Sequence, residues 1–291
     1  MRQLLDAVAN DLGADVLSAT RLGGGDVAEA YRLELTDARV VFAKTHRAPP
    51  AGFFTTEARG LRWLHEPGVV ATPHVLAVSD GDDGSPPRLV LEWIDEGGSS
   101  TPEDEYEFGR QLARLHRAGA PCFGREDRRT TGSLALSNDP CTNWVDFYAQ
   151  RRLGPLLRRA RDRGALPAET LDALQRTIDR LESIGGPVEP AARLHGDLWA
   201  GNRVVDRAGR SWLIDPACHG GHREYDLAMM RLFGGFGASC FEGYIAEWPL
   251  ADGWEQRIAL HQLAPLVVHA IKFGGGYVAS TQRALDAVSA I

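Results

Sequence analysis

The apolar pattern of this chain changes character once. Over the first 95 residues, apolar side chains mostly alternate with polar ones or form short β-branched runs. From residue 103 onward they recur mainly every three to four positions. Strands gathered at one end and helices at the other cannot interleave as βαβ units, so the pattern predicts an α+β fold, not a doubly wound sheet. Leu4, Leu5, Val8 and Leu12 have helical spacing, with Gly13 as a stop. Residues 21–45 read as strand, glycine turn, strand, strand, the last ending at Lys44. Residues 53–66 read as a helix with Phe54, Ala58, Leu61 and Leu64 on one face, ended by Pro67-Gly68. Strands are expected at 75–78 and 88–94. Helices follow at 103–118, 142–163, 168–184, 225–233, 254–272 and 281–291, with two β-like runs at 203–205 and 211–214. The organisation predicted is a β-rich N-terminal lobe, 1–95, a joint near 96–100, and a larger helical C-terminal lobe, 96–291. A length of 291 residues fits two lobes at about 150 residues per domain.

Charge and composition exclude several classes. The formal charge is −7 and no basic run is present, so the counterion-displacing face of a nucleic-acid binder is not expected. No stretch holds the ~20 apolar residues that span a bilayer, and residues 1–16 lack the apolar core of a signal peptide. The four cysteines form no C-x-x-C pair, and a reducing cytoplasm is the location they suggest. Arg outnumbers Lys 30 to 2, a skew that GC-rich codons explain. The two surviving lysines, Lys44 and Lys272, are therefore positions to inspect for a role.

The chemistry-bearing segment is His195-Gly-Asp-Leu-Trp-Ala-Gly-Asn202, followed by Ser211-Trp-Leu-Ile-Asp-Pro216. His195, Asp197 and Asn202 keep the spacing of the protein-kinase catalytic loop, with Gly196 in place of its Arg, and Asp215 follows a short hairpin. Phosphoryl transfer spreads charge over three oxygens and needs an in-line nucleophile. One carboxylate, Asp197, must face the attacking hydroxyl free of metal. An amide oxygen, Asn202, and a second carboxylate, Asp215, must hold Mg²⁺, which needs few protein ligands once phosphates are present. Lys44 and Glu57 complete the order, the Lys reaching the ATP phosphates and the helix Glu orienting it. Gly23, Gly24 and Gly25 form a turn whose N–H groups can approach phosphates. At the junction, the backbone of Glu92 and Ile94 either reads the adenine edge or is a buried strand end. No dinucleotide or P-loop signature is present, and no G-x-S-x-G elbow. His219, His222 and Glu224 cluster without the HExxH helical spacing, in a loop set by Gly220-Gly221, so no zinc is expected there.

The loop His195–Asn202, the Asp215-Pro-Ala217 turn and the run Gly221-His-Arg-Glu-Tyr-Asp-Leu-Ala-Met-Met-Arg-Leu-Phe-Gly-Gly-Phe236 resemble the fructosamine kinase (ketosamine-3-kinase) family. That family is related to the aminoglycoside phosphotransferases and choline kinases. The resemblance implies a protein-kinase-like two-lobe fold and an ATP-dependent phosphotransferase acting on O3 of ketosamines. Such sugar–amine adducts carry a labile 3-phosphate, hence a role in deglycation. By carry-over Asp197 is the base, Asn202 and Asp215 hold Mg²⁺, and Lys44 with Glu57 places ATP. Trp199 either stacks on the sugar or supports the loop as a core residue, and Asp226 caps the helix that follows and supports the loop. Many relatives carry Cys after the glycines, where this chain has Asp26, so thiol control is not implied. The alternative within the same catalytic centre is a cationic acceptor, an aminoglycoside or choline, or else homoserine. Cationic acceptors need a carboxylate-lined pocket, for which Glu242, Glu247 and Asp252 are candidates.

Overall fold

The alternation read along residues 28–45 becomes an antiparallel sheet. In the computed structural model, which describes all residues except 24–27, 128–129 and 132–133, the chain forms two units. One is Met1–Ser100 with Arg203–Pro216; the other is Thr101–Asn202 with Ala217–Ile291. The first unit holds α1 (Arg2–Leu12), β1 (Val16–Leu22), β2 (Glu29–Leu35), β3 (Val40–Thr45), α2 (Phe53–His65), β4 (Val75–Ser79) and β5 (Arg88–Glu92). The strands lie in the order β1-β2-β3-β5-β4, every neighbouring pair antiparallel.

Period-two alternation sorts the sheet side chains between two helices. Tyr31, Leu33, Leu35, Val41, Ala43 and Val90 pack with Leu4 and Val8 of α1. Phe42, Leu89 and Leu91 pack instead with Phe54, Ala58 and Leu61 of α2. Successive residues of β3 and β5 thus feed opposite faces, which buries both. Gly13, at φ 68, ends α1 in the left-handed conformation. Arg88 grips Asp11 with two hydrogen bonds, of 2.6 and 2.8 Å, tying α1 to β5.

The hairpin Arg203–Val205 and Ser211–Leu213 belongs by its contacts to this unit, far from it in sequence. Leu213 N donates to Ala71 O at 2.9 Å and Arg207 N to Asp95 O at 3.1 Å. Arg203 Nη2 donates to Ser100 Oγ at 2.7 Å.

The second unit is mainly helical: α3 (Pro102–Arg117), α4 (Trp144–Phe147), α5 (Gly154–Asp162), α6 (Ala168–Asp179), α7 (Leu181–Ile184), α8 (Glu224–Phe233), α9 (Ala238–Glu247), α10 (Trp254–Phe273) and α11 (Gly276–Ser289). α3 starts with a capping box between Thr101 and Asp104 and with Pro102 at its first position. The helix expected over 142–163 is interrupted by a π-helical turn, Tyr148–Leu153. The one expected over 168–184 breaks at Arg180. Pro265 lies inside α10 and has no N–H to give the carbonyl of His261. The Tyr148 hydroxyl lies against that gap, 2.8 Å from Leu260 O and 3.3 Å from His261 O. Two three-residue strands, Ala192–Leu194 and His219–Gly221, pair antiparallel and frame the catalytic-loop segment. They are too short to show alternation in the sequence. Among the described residues, no helix is long and apolar enough to cross a membrane.

The hairpin docks so closely that a Cβ at Gly98 would fall 1.9 Å from the Asp206 carbonyl oxygen. Gly98→Ala is expected to lower stability by about 1–3 kcal/mol, the range for overpacking. Gly276→Ala, with open space around its Cβ, should stay within about 0.5 kcal/mol of the parent. Urea melts of the two variants followed by circular dichroism test this. Equal midpoints would mean that the hairpin is not held there.

Candidate active site

The loop after Ala192–Leu194 is shaped by a buried carboxylate. Asp226, fully buried, accepts the His195 N–H at 2.7 Å and the Gly196 N–H at 2.9 Å. His116 lies 3.2 Å from the same carboxylate, and its other ring nitrogen is 2.8 Å from the Tyr244 hydroxyl. Burial pushes the Asp226 carboxyl up, but the His116 hydrogen bond, with the charges of His116 and His195, outweighs it and holds the pKa below the usual range. The expected cap role is corrected here: α8 begins at Glu224, so Asp226 sits inside its first turn. There it acts as the anchor of the loop, favoured by the helix dipole.

Gly196 has φ 80, and a Cβ there would lie 2.2 Å from the Ala217 carbonyl oxygen. This explains why glycine stands where protein kinases have arginine. The anchored turn presents Asp197. Asn202, at the end of a 3₁₀ turn, donates from Nδ2 to the Asp197 carbonyl at 2.8 Å and to its Oδ2 at 3.0 Å. The amide oxygen is the atom this leaves for a cation. Burial raises the pKa of Asp197 above the ordinary aspartate value, partly opposed by His195 and by the Asn202 bond. A carboxylate so raised is a stronger proton acceptor than an exposed one.

The second group lies in the first unit. Lys44, near the end of β3, donates to Glu57 Oε1 of α2 at 2.9 Å and to Asp215 Oδ1. Burial alone would lower the Lys44 pKa, but the two carboxylates outweigh it and keep the ammonium charged. Glu57 moves the other way, raised to about 7, first by burial and then against the charge of Lys44 by repulsion from Asp215. One ammonium faces two carboxylates, whose hard oxygens suit a divalent cation. Asp215 sits just past the hairpin at φ 51, a left-handed conformation unusual for a residue other than glycine. Such strained positions cluster at functional sites.

Of the remaining sequence-predicted residues, Gly23 follows β1, while Gly24, Gly25 and Asp26 lie outside the described residues. Glu92 ends β5, where its N–H donates to His74 O at 3.0 Å and its carboxylate accepts the His74 N–H at 2.9 Å. The Ile94 carbonyl accepts from Glu96 N at 3.0 Å.

Within the second unit, Asp197 opens on a cavity of about 390 Å³, inside the range of small-molecule sites. Trp199, 39% exposed, lines it beside Asp197 and meets Phe233 edge-on at 6.3 Å. Arg152, His219, His269, Lys272 and Tyr277 also line it. None of these five stands among the sequence-predicted site residues, although the scarcity of lysine had marked position 272. Glu242, Glu247 and Asp252 are absent from its wall. Glu247 instead bonds Arg110 at 3.1 Å and Arg114 at 3.0 Å.

His219 faces this cavity, while His222 and Glu224 join His261 in a buried cluster. Arg257 occupies both Glu224 oxygens at 2.9 and 2.6 Å. The cluster therefore already contains its counter-cation, in keeping with an ion pair inside the core. Burial pushes Glu224 up, but His261 and Arg257 bring it down to about 2. Burial, then His261, pushes His222 down to about 3.

Residues 2–290 match the sequence profile of the family described as fructosamine kinase. Over 270 residues the chain is 34% identical to the chloroplastic protein-ribulosamine 3-kinase of Arabidopsis thaliana, covering 91% of this chain and 80% of that one. A solved structure from Thermobifida fusca, assigned as a fructosamine-3-kinase, is 38% identical, covers 100% of both chains and superposes with a TM-score of 0.92. The choline kinase LicA of Streptococcus pneumoniae, at 16% identity, shares the fold with a TM-score of 0.64, covering 100% of this chain and 99% of that one. The fold is thus that of the protein-kinase-like phosphotransferases, as expected.

The buried cluster makes a pH prediction. His222 takes a proton near pH 6.5 when unfolded and only near 3 when folded, so the unfolded chain binds more protons between those values. Its contribution to stability is present above about pH 6.5 and is lost as pH falls towards 3. Glu224 adds a loss below 4.5. The melting temperature should fall between pH 6.5 and 4.5, and His222→Phe should flatten that limb. Differential scanning calorimetry reads the effect, and an unchanged slope in the variant would contradict it.

Proposed function

The chain belongs to the fructosamine kinase family, and we propose that it transfers the γ-phosphoryl group of ATP to the 3-hydroxyl of a ketosamine, with Mg²⁺ as the divalent cation. The observation that carries this reading is the Asp197 carboxylate, held by Asn202 and open to a cavity lined by Trp199. Asp197 accepts the proton of the attacking hydroxyl while the new O–P bond forms and ADP leaves. Its burial-raised pKa supports that role. Trp199 offers a flat apolar face to the sugar ring beside the base. Lys44, oriented by Glu57, pairs with the α- and β-phosphates. The Ile94 N–H and the Glu92 carbonyl read the edge of adenine. Asp215 and the Asn202 amide oxygen are the protein ligands of the cation, a donor set of hard oxygens suited to Mg²⁺. When bound, the cation neutralises charge on the transferring phosphates.

Once the phosphorylated adduct tautomerises to its 1,2-enaminol, the nitrogen lone pair can expel inorganic phosphate from C3. Water then hydrolyses the resulting imine at C1, freeing the amine and leaving a 3-deoxy-dicarbonyl sugar. The reaction is thereby a deglycation step on fructose- or ribulose-derived adducts. The four cysteines are free thiols, in keeping with a reducing cytoplasm. A polycationic aminoglycoside is not favoured as acceptor, because among the residues lining the cavity Asp197 is the one carboxylate.

A phosphate-transfer assay with ATP, Mg²⁺ and matched ribulose and fructose adducts tests the reading. Turnover should cease on addition of EDTA and return with excess Mg²⁺. Asp197→Asn should lower kcat about 10²–10⁴-fold with ATP binding largely kept. Asp215→Ala should instead weaken Mg·ATP binding in a calorimetric titration. Stimulation by aminoglycosides or choline alone would overturn the ketosamine assignment.

A further inference from the structure

The charge of the acceptor cavity is one-sided. Its wall carries the cations Arg152 and Lys272 and the imidazoles of His219 and His269, against the single carboxylate of Asp197, which is engaged with Asn202. Arg152 is immobilised: it is 3% exposed, donates to Ser137 O and to Asn138 Oδ1 at 2.6 Å each, and lies 4.4 Å from the Phe147 ring. The π-helical turn carries it there, and it lends the cavity a fixed positive potential.

Lys272 differs. It sits in the last turn of α10, exposed, and its ammonium lies 5.0 Å from the Phe273 ring. Among the described residues it makes no salt bridge. The chain's other lysine, Lys44, pairs with two carboxylates.

Aromatic rings connect this lysine to the base. Trp199 meets Phe233 at 6.3 Å, Phe233 meets His269 at 5.2 Å, and His269 meets Tyr277 at 4.8 Å and Phe273 at 5.5 Å. The row starts beside Asp197 and ends at the neighbour of Lys272. A ketosamine laid along it places its sugar at Trp199 and its secondary ammonium over ring faces, which attract cations without a second carboxylate. Lys272 lines the same cavity as Asp197, on the side where the amine part of the adduct would lie.

The geometry points to Lys272 as a specificity-determining residue that selects ketosamines whose amine part bears a carboxylate, the adducts of free amino acids. This rests on the ketosamine reading above and adds the class of amine to it. An amine-borne carboxylate suits the position, because the anion must lie at the end of the row away from the base. A phosphate on the sugar would offer the same charge from the other half of the molecule.

The test uses the whole chain with ATP and Mg²⁺ and three ribulose adducts: one of glycine, one of propylamine and one of propylamine with a 5-phosphate on the sugar. The glycine adduct should have a kcat/KM about tenfold above the propylamine adduct, the scale of one hydrogen bond to a charged group near the surface. That gap should shrink with rising salt, as an exposed ion pair requires. Lys272→Met should close the gap and Lys272→Arg should largely keep it. Equal kcat/KM for the glycine and propylamine adducts, or an equal loss on both in Lys272→Met, would overturn the proposal. Preference for the sugar phosphate would overturn it in favour of an anion on the sugar. Phosphorylation of the propylamine adduct without that gap leaves the kinase reading standing and removes only this inference. No phosphorylation of any of the three would remove both.

Discussion

A carboxylate with no access to solvent holds the reactive loop in shape. Asp226 takes the N–H groups of His195 and Gly196 at once, so two consecutive peptide planes are fixed by one side chain. A buried carboxylate is costly unless fully bonded, and here His116 and the first turn of α8 share its charge. Asp197 sits one residue beyond the fixed planes and inherits their orientation. Gly196 is part of the same constraint, since the turn leaves no room for a side chain beside Ala217 O. The usual kinase arginine is absent because its place is filled by backbone.

The charge of the first unit follows a different rule. Lys44 stands between Glu57 and Asp215. Burial and the neighbouring Asp215 carboxylate raise Glu57 against the charge of Lys44. Hard carboxylate oxygens of this kind suit a divalent cation. The His222–Glu224–His261 cluster is the contrasting case. It has metal-like residue types but carries its own guanidinium, Arg257. Residue type nominates a site, and the local charge balance separates one that can receive a cation from one that already holds it.

The acceptor cavity owes its character to parts that are remote in sequence. Arg152 arrives through a π-helical turn, His269 and Lys272 through the last turns of α10, and Trp199 through the loop. Pro265 leaves the His261 carbonyl of α10 without its helical donor, and the Tyr148 hydroxyl from the π segment lies 3.3 Å from it and 2.8 Å from Leu260 O. The same two elements that wall the cavity are therefore joined by a bond that a regular helix would not need.

Much was legible in the linear order. Alternation over residues 28–45, helical spacing from 103 and the H-G-D-x-x-x-x-N…D spacing are local properties, and local periodicity decides which faces are buried. They suffice for an α+β fold with a phosphoryl-transfer motif and nominate Lys44, Glu57, Asp197, Asn202 and Asp215, while the fructosamine kinase family was legible through the resemblance of Trp199 and the run ending at Phe236. The partition of the chain was not legible: residues 203–216 follow the catalytic loop in sequence yet bond to Ala71, Asp95 and Ser100. Nor was α9, or the place of Asp226 inside the first turn of α8 and not at its cap, although its support of the loop was expected and holds. Those depend on which surfaces meet. A spacing pattern records a residue's near neighbours along the chain, whereas a cavity's charge is the sum over residues that only the folded backbone brings together.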